Sequence, residues 1–392
     1  MARKLKDWIS AYMQYVDNTE PPDQYKMWVA ISTIASVLQR KCYLDWGPMV
    51  FYPNMYIVLC GPSGKARKST AMGPGMKMLR TLGVKLAAES VTREALIREL
   101  KNSNATQVDP DDGSMHLHAS LTVVSPELTV FLGYNNSALL SDLTDWYDCR
   151  DRWTYRTKNM GTDDIVGVWV NLIGATTPEL LQTTMPRDAI GGGLTSRIIF
   201  VYEEKKGKIV PAPFLSPEEV ELREWLVTDL EKIGMLSGEF KITKKFLDKW
   251  IEWYTAQEDN PPFKDLRFSG YIERRPNHVL KLCIILSASE GDSKVITDKH
   301  LDRALKILGK TEKKMPYTFS GVGKMETADV MARVMATIAT NGTMTFSSLL
   351  ETYYYDADQD TLQKILATLS AMKYCTLKYN SKECIITYNK KP

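Results

Sequence analysis

A short apolar run at residues 54–60 (NMYIVLC) passes straight into a glycine-bearing basic loop and then a helical stretch. No other feature constrains the fold as much. The run is rich in β-formers and too short for an amphipathic helix, so it predicts a strand buried on both faces. The loop is Gly61-Pro62-Ser63-Gly64-Lys65-Ala66-Arg67-Lys68-Ser69-Thr70. Strand, glycine loop and helix in that order can hold a phosphate, because the first N–H groups of a helix have no intrahelical partner and converge on an anion. Such a loop also needs a lysine for the β/γ-phosphates and a hydroxyl for Mg²⁺. Lys68 and Ser69 stand where these belong, and Gly61 and Gly64 supply the turn. Gly61, Ser63, Gly64, Lys65, Ala66, Arg67, Lys68, Ser69 and Thr70 are the predicted nucleotide contacts, with Ser69 the metal ligand. The loop departs from the usual spacing: Arg67 takes the place of the last glycine, and one residue is inserted relative to Gly61.

The 392 residues suffice for two or three domains, and 44% hydrophobic with 25% charged residues is ordinary globular composition. A net charge of +3 excludes any argument for nucleic acid from bulk charge, so a basic surface must be local. Six cysteines lie scattered without metal-ligand spacing, which predicts reduced, cytoplasmic thiols. His116 and His118 would share one face of a strand, but no nearby Cys or His completes a metal site. No run reaches the ~18 apolar residues of a membrane span. The amphipathic start lacks the features of a signal peptide. No membrane association is expected.

Helices are predicted at 5–16, 24–40, 92–101, 128–132 and 138–147. Further helices are predicted at 216–233, 243–257, 272–289 and 297–314. Strands are predicted at 120–124, 168–174 and 198–202, with a short strand and turn at 42–50. Residues 103–114 (SNATQVDPDDGS) are polar and turn-rich and read as a loop. Residues 155–158 and 166–170 read as arms of a hairpin turning near Gly161. The C-terminal part reads as helices at 326–340, 345–354 and 359–372, then strands at 374–379 and 383–388, a winged-helix pattern. The expected fold is α/β: a P-loop NTPase core, a parallel sheet with flanking helices, carrying a helical lid and a C-terminal winged-helix domain. The expected segments are an N-terminal helical stretch 1–50, the core 51–210, the lid 211–315 and the winged helix 325–392.

Nucleotide hydrolysis also needs an acid at the end of a neighbouring strand. Residues 121–127 (LTVVSPE) offer Glu127, with Ser125 and Pro126 where an aspartate is usual. Residues 170–179 (VNLIGATTPE) can place Thr176 or Thr177 near a γ-phosphate. Residues 191–197 (GGGLTSR) lead a glycine run into Arg197 before a strand, which suits an arginine presented to a neighbouring subunit.

In this order the motifs resemble an AAA+ ATPase of the minichromosome-maintenance helicase type. The likeness is carried by GPSGKARKS, ATTP, TSRIIFV and the stretch Glu273-Arg274-Arg275-Pro276-Asn277-His278. The chain is more similar still to phage and plasmid replication ATPases, which carry a loop ending Arg-Lys-Gly/Ser-Thr, a YPN (here Tyr52-Pro53-Asn54) and an SPEL motif (here 125–128). That resemblance covers roughly residues 20–310. It implies that Lys68 and Ser69 bind ATP with Mg²⁺, Glu127 is the catalytic acid, and Thr177 is a sensor. It further implies that Arg197 is the finger and Arg274 or Arg275 a second sensor.

The stretch 147–158 (YDCRDRWTYRTK) interleaves Arg150, Arg152, Arg156 and Lys158 with Trp153 and Tyr155, a composition suited to single-stranded DNA. Lys364 and Lys373 in the last domain could touch phosphates, but the neighbouring YYYDAD is acidic and suits protein docking equally. The expected function is an ATP-dependent DNA helicase or translocase of a phage or plasmid replication system. It would work as a homo-oligomeric ring, a hexamer, on single-stranded or forked DNA, with a primase or polymerase as further partner, in the (host) cytoplasm. The alternative is a helicase loader or initiator ATPase that binds DNA without unwinding it, and a packaging or signalling NTPase is the third class.

Overall fold

The computed structural model describes residues 2–108, 113, 115–157, 161–185, 191–319, 328–380 and 383–389. Two compact units result, Met1–Ser320 and Gly321–Pro392. The first is a mixed α/β structure with a largely parallel sheet flanked by helices.

In chain order the first unit begins with α1 (Trp8–Tyr15), α2 (Asp23–Leu38), the hairpin β1 (Cys42–Trp46) and β2 (Met49–Phe51), β3 (Tyr56–Cys60) and α3 (Lys68–Thr81). Next come α4 (Arg93–Asn102), β4 (Asn104–Val108), β5 (Met115–Ser125), α5 (Leu128–Leu132) and α6 (Ser137–Tyr147). The hairpin β6 (Arg152–Thr157) and β7 (Gly161–Val166) leads to β8 (Val168–Thr176), α7 (Pro178–Thr184) and β9 (Ile198–Tyr202). The unit closes with α8 (Pro217–Gly234), β10 (Gly238–Glu239), β11 (Lys241–Ile242), α9 (Lys244–Asp259), α10 (Ser269–Glu290), β12 (Val295–Ile296) and α11 (Asp298–Glu312).

The main sheet runs β4-β5-β8-β3-β9. β3 pairs in parallel with both β8 and β9, and β5 in parallel with β8. Beyond β5, residues 85–87 continue the sheet through one parallel bridge, Leu86 to Thr122, with the Ala87 N–H donating to the Thr122 carbonyl at 2.9 Å. Every residue of β3 and β8 is buried, as a parallel sheet covered on both faces requires. Strand parity shows the covering: Asn171 donates to Ser32 and Ser36 of α2, whereas Gly174, three residues on, faces Leu128 of α5. α1 and α2 also pack against α8, and α2 against α10. Segments 1–50, 51–210 and 211–315 therefore share one core.

Residues 104–108, read as loop, form strand β4, antiparallel to the start of β5. The strand is almost wholly exposed, and its NATQV sequence carries little apolar signal. The hairpin arms also differ from expectation: Arg152 pairs with Val166 and Thr157 with Gly161. Gly167, at φ 63°, separates this hairpin from β8.

The second unit holds α12 (Ala328–Asn341), β13 (Thr343–Thr345), α13 (Phe346–Tyr353), α14 (Gln359–Ala371), β14 (Cys375–Tyr379) and β15 (Cys384–Tyr388), with sheet order β13-β15-β14. Val334, Ile338, Leu349, Leu362, Leu369 and Ile386 form its core. The six cysteines are unpaired. Among the described residues no helix is long and apolar enough to cross a membrane.

Candidate functional site

Parallel strands end together, and ligands of open α/β sheets sit beyond their carboxyl ends where the chain order reverses. Here β3 has β8 on one side and β9 on the other, both later in the chain. A cavity of about 400 Å³ opens at this point. It is lined by Ser63, Gly64, Arg67, Lys68, Ser69 and Thr70 from the loop and α3, by Pro126 and Glu127 after β5, and by Thr176, Thr177, Glu179 and Leu180 after β8. Three stretches far apart in sequence thus meet at one edge of the sheet.

The loop is braced from below. The Gly61 N–H donates to the Thr176 carbonyl at 3.3 Å, and the Tyr25 hydroxyl of α2 donates to the Cys60 carbonyl at 2.6 Å. A Cβ at Gly61 would collide with the Glu203 carbonyl and lie 2.7 Å from the Tyr25 hydroxyl, so only glycine fits. Gly64 has φ 68°. Arg67, in the position of the expected glycine, has φ 55° and ψ 39°, the left-handed region that costs a residue with a Cβ roughly 1–2 kcal/mol. Its guanidinium is held by Glu20 at 2.8 Å, and Lys206 reaches the same carboxylate at 2.6 Å. Hydrogen bonds from Lys206 and then Arg67 pull the Glu20 carboxyl down to about 2.

Lys68 is the first residue of α3. Its ammonium donates to the Gly61 carbonyl at 2.6 Å and the Pro62 carbonyl at 3.1 Å. Burial lowers its pKa, while the charges of Cys60, Glu127 and Glu179 act in the opposite direction. Ser69, Thr70, Glu127 and Glu179 are exposed to the cavity, whereas Ala66 is buried beneath the loop. Thr177 caps α7 by accepting from the Leu180 N–H at 3.3 Å, which leaves its own O–H proton to donate. Ser69 with two carboxylates is an all-oxygen donor set, which fits a hard cation such as Mg²⁺. Glu179 carried no role in the sequence reading, and neither did Tyr25.

The arginines lie elsewhere. Arg197 precedes β9, whose first residue stands level with Tyr56, so it sits at the opposite end of β3 from the loop. Arg197 is buried, with its guanidinium on Asp148 at 2.6 Å and on the Gly193 carbonyl at 2.9 Å. Arg274 reaches the same carboxylate at 3.8 Å and is 31% exposed. Arg275 is buried in a bidentate pair with Glu312, at 2.6 and 3.0 Å. Neither Arg197 nor Arg275 lines the loop cavity of its own chain. Nearby, Asn54 of the YPN sequence donates to the Tyr147 carbonyl at 2.9 Å and accepts from the buried Lys281 at 2.6 Å. Burial brings that lysine down to about 8. A smaller cavity of about 240 Å³ at this end is lined by Arg40 and His118, which are already engaged by Asp151 and Ser120.

On the hairpin, alternation puts Arg152 and Arg156 outward and turns Trp153 and Tyr155 toward the body of the unit. Trp153 meets Trp146 edge-on at 5.4 Å, and Arg93 lies over Tyr155 at 4.8 Å. The aromatics expected to stack on bases are therefore packing residues. Arg150 pairs with Asp145 at 3.1 Å and Arg152 with Asp164 at 3.3 Å, both at the surface. Arg156 donates to the Thr162 hydroxyl at 3.0 Å. Lys158 lies outside the described residues.

Compared with known proteins, the chain matches no family model and no curated sequence.

Proposed function

We propose that the chain is an ATP hydrolase of the AAA+ type and that it acts on DNA as an oligomeric ring, the helicase or translocase that its motifs resemble. The observation that carries this reading is the cavity itself: Lys68 at the start of α3, Glu127 after β5 and Thr177 after β8 meet there. The strand order supports it, because β3 lies between β9 and β8, with β5 and the 85–87 bridge beyond. The second unit, three helices with a small antiparallel sheet, reads as the winged helix.

In this reading the loop N–H groups and the α3 N-terminus hold the phosphates. Lys68 exchanges its carbonyl partners for β/γ-phosphate oxygens, where charge grows in the transition state. Glu127 orients the attacking water, and Thr177 donates its hydroxyl proton toward the γ-phosphate. Ser69 holds Mg²⁺, which when bound neutralises charge on the phosphate oxygens. Arg197 and Arg274 share one carboxylate at the far end of the sheet, so either would act only on a neighbouring subunit's nucleotide.

Glu127→Gln tests the assignment. It should bind ATP as the parent does and hydrolyse it at least about 100-fold more slowly, because the base alone is lost. Loss of ATP binding, or unchanged turnover, contradicts it.

For DNA, Arg150 and Arg152 are held by surface ion pairs worth at most ~1 kcal/mol each, so phosphates can displace the acids. Replacing Arg150, Arg152 and Arg156 with Ala should weaken single-strand binding and reduce the salt slope of log K by about 2. An unchanged slope moves the DNA contact off this hairpin. The loader or initiator reading is favoured by the same acids, Asp145 and Asp164, which neutralise the hairpin. Strand displacement by the purified chain with ATP separates the two.

A further inference from the structure

We propose that Glu179 supplies the second carboxylate for the divalent cation of the nucleotide site, in place of the aspartate that β5 lacks. This rests on the nucleotide reading above. β5 ends in Ser125, which is buried, and is followed by Pro126, whose side chain has no metal-donor atom. A cation held by Ser69 and phosphate oxygens still calls for carboxylate charge from the protein. Glu127 and Glu179 are the acidic residues that line the cavity, and among the described residues neither forms a salt bridge.

The placement of Glu179 follows from the fold. β8 ends at Thr176, whose carbonyl accepts from Gly61, so the strand end and the loop start are tied together. Thr177 then caps α7, Pro178 occupies its first position, and Glu179 falls in the first turn beside the loop. An acid in a first turn is favoured by the helix dipole alone. That role needs no access to the cavity, and it predicts no dependence on metal. Glu179 does line the cavity, and its charge reaches Lys68 from the β8 side as that of Glu127 does from the β5 side. Arg67, which also lines the cavity, is paired with Glu20, so two carboxylates face the Lys68 ammonium. A triphosphate entering without a cation meets both carboxylates, and a cation between carboxylates and phosphates offsets the repulsion.

The test is ATP binding by the full chain, measured in EDTA and again in Mg²⁺, with Mn²⁺ as a paramagnetic probe of the bound metal. The parent should bind ATP markedly tighter with Mg²⁺. Glu179→Gln should keep or improve binding in EDTA, lose about tenfold of the Mg²⁺ enhancement and require more Mn²⁺ for occupancy. Glu179→Asp, which keeps the charge at shorter reach, should fall between the two. An unaltered thermal melt for both variants is expected from the exposure of this side chain. Glu179→Gln that binds ATP with the full metal enhancement overturns the inference and leaves the residue as a helix-start acid. A parent chain that binds no ATP in either condition overturns the nucleotide reading itself.

Discussion

Lys68→Ala should reduce ATP hydrolysis by about 100-fold or more without weakening the fold. The two halves of this expectation have separate physical origins. The ammonium emerges between the loop and the ends of β5 and β8, so its loss would remove charge stabilisation where the proposed phosphoryl transfer needs it. Structurally, the residue contributes little. A positive charge at the first position of a 14-residue helix opposes the macrodipole, and the first turn of α3 contains no acid to offset it. Its hydrogen bonds to the Gly61 and Pro62 carbonyls are only partly buried, and water in the cavity can replace them. The variant should therefore melt at the parent temperature or slightly above. Together with the left-handed Arg67, the loop breaks two local rules at once, as sites kept for function do. Turnover near the parent rate would remove Lys68 from the chemistry.

Arg275→Ala should cost about 3–5 kcal/mol of stability, seen as an earlier denaturant midpoint. Arg275 and Glu312 join α10 to α11, with side-chain exposures of 10% and 3%. The Tyr271 hydroxyl adds a third bond to the same carboxylate at 3.0 Å, and Trp253 lies under the guanidinium at 5.3 Å. Removing the arginine strands a buried carboxylate, and that penalty, more than the worth of the pair, sets the size of the effect. An Arg275→Met, Glu312→Leu double variant should recover part of the loss. Arg274→Ala, at a half-exposed position, should leave stability within ~1 kcal/mol. ATPase loss in Arg275→Ala without any loss of stability would restore the sensor role that the resemblance implies for this residue.

These outcomes mark how far the sequence could be read. The 54–60 run and its loop were legible because burial on both faces leaves an unbroken apolar stretch and glycine marks the turn. Helices near Thr92, Ser216 and Thr243 were legible in the sequence, and each of these residues caps its helix by accepting from the N–H three residues on. β4 was not, because an exposed edge strand carries loop-like polar residues. The hairpin was displaced because Gly167, the true break before β8, sits within an apolar stretch that looks continuous. The arginines show a different limit. Asp148 lies 49 residues from Arg197, and Glu312 lies 37 residues from Arg275, so no local pattern reveals that either side chain is already paired. Glu179 was visible in the string ATTPE, but an acid beginning a helix is ordinary. Only the sheet order, which sets β8 beside β3, brings it to the loop.

The most direct test of the central claim is amide hydrogen exchange on the full chain with and without ATP and Mg²⁺. If the loop cradles phosphates, the N–H groups of residues 63–70 become donors to the ligand, and their exchange should slow on ATP addition and return to the free rate in Lys68→Ala. Protection that spares residues 63–70, or no protection anywhere at saturating ATP, would contradict the assignment of this site.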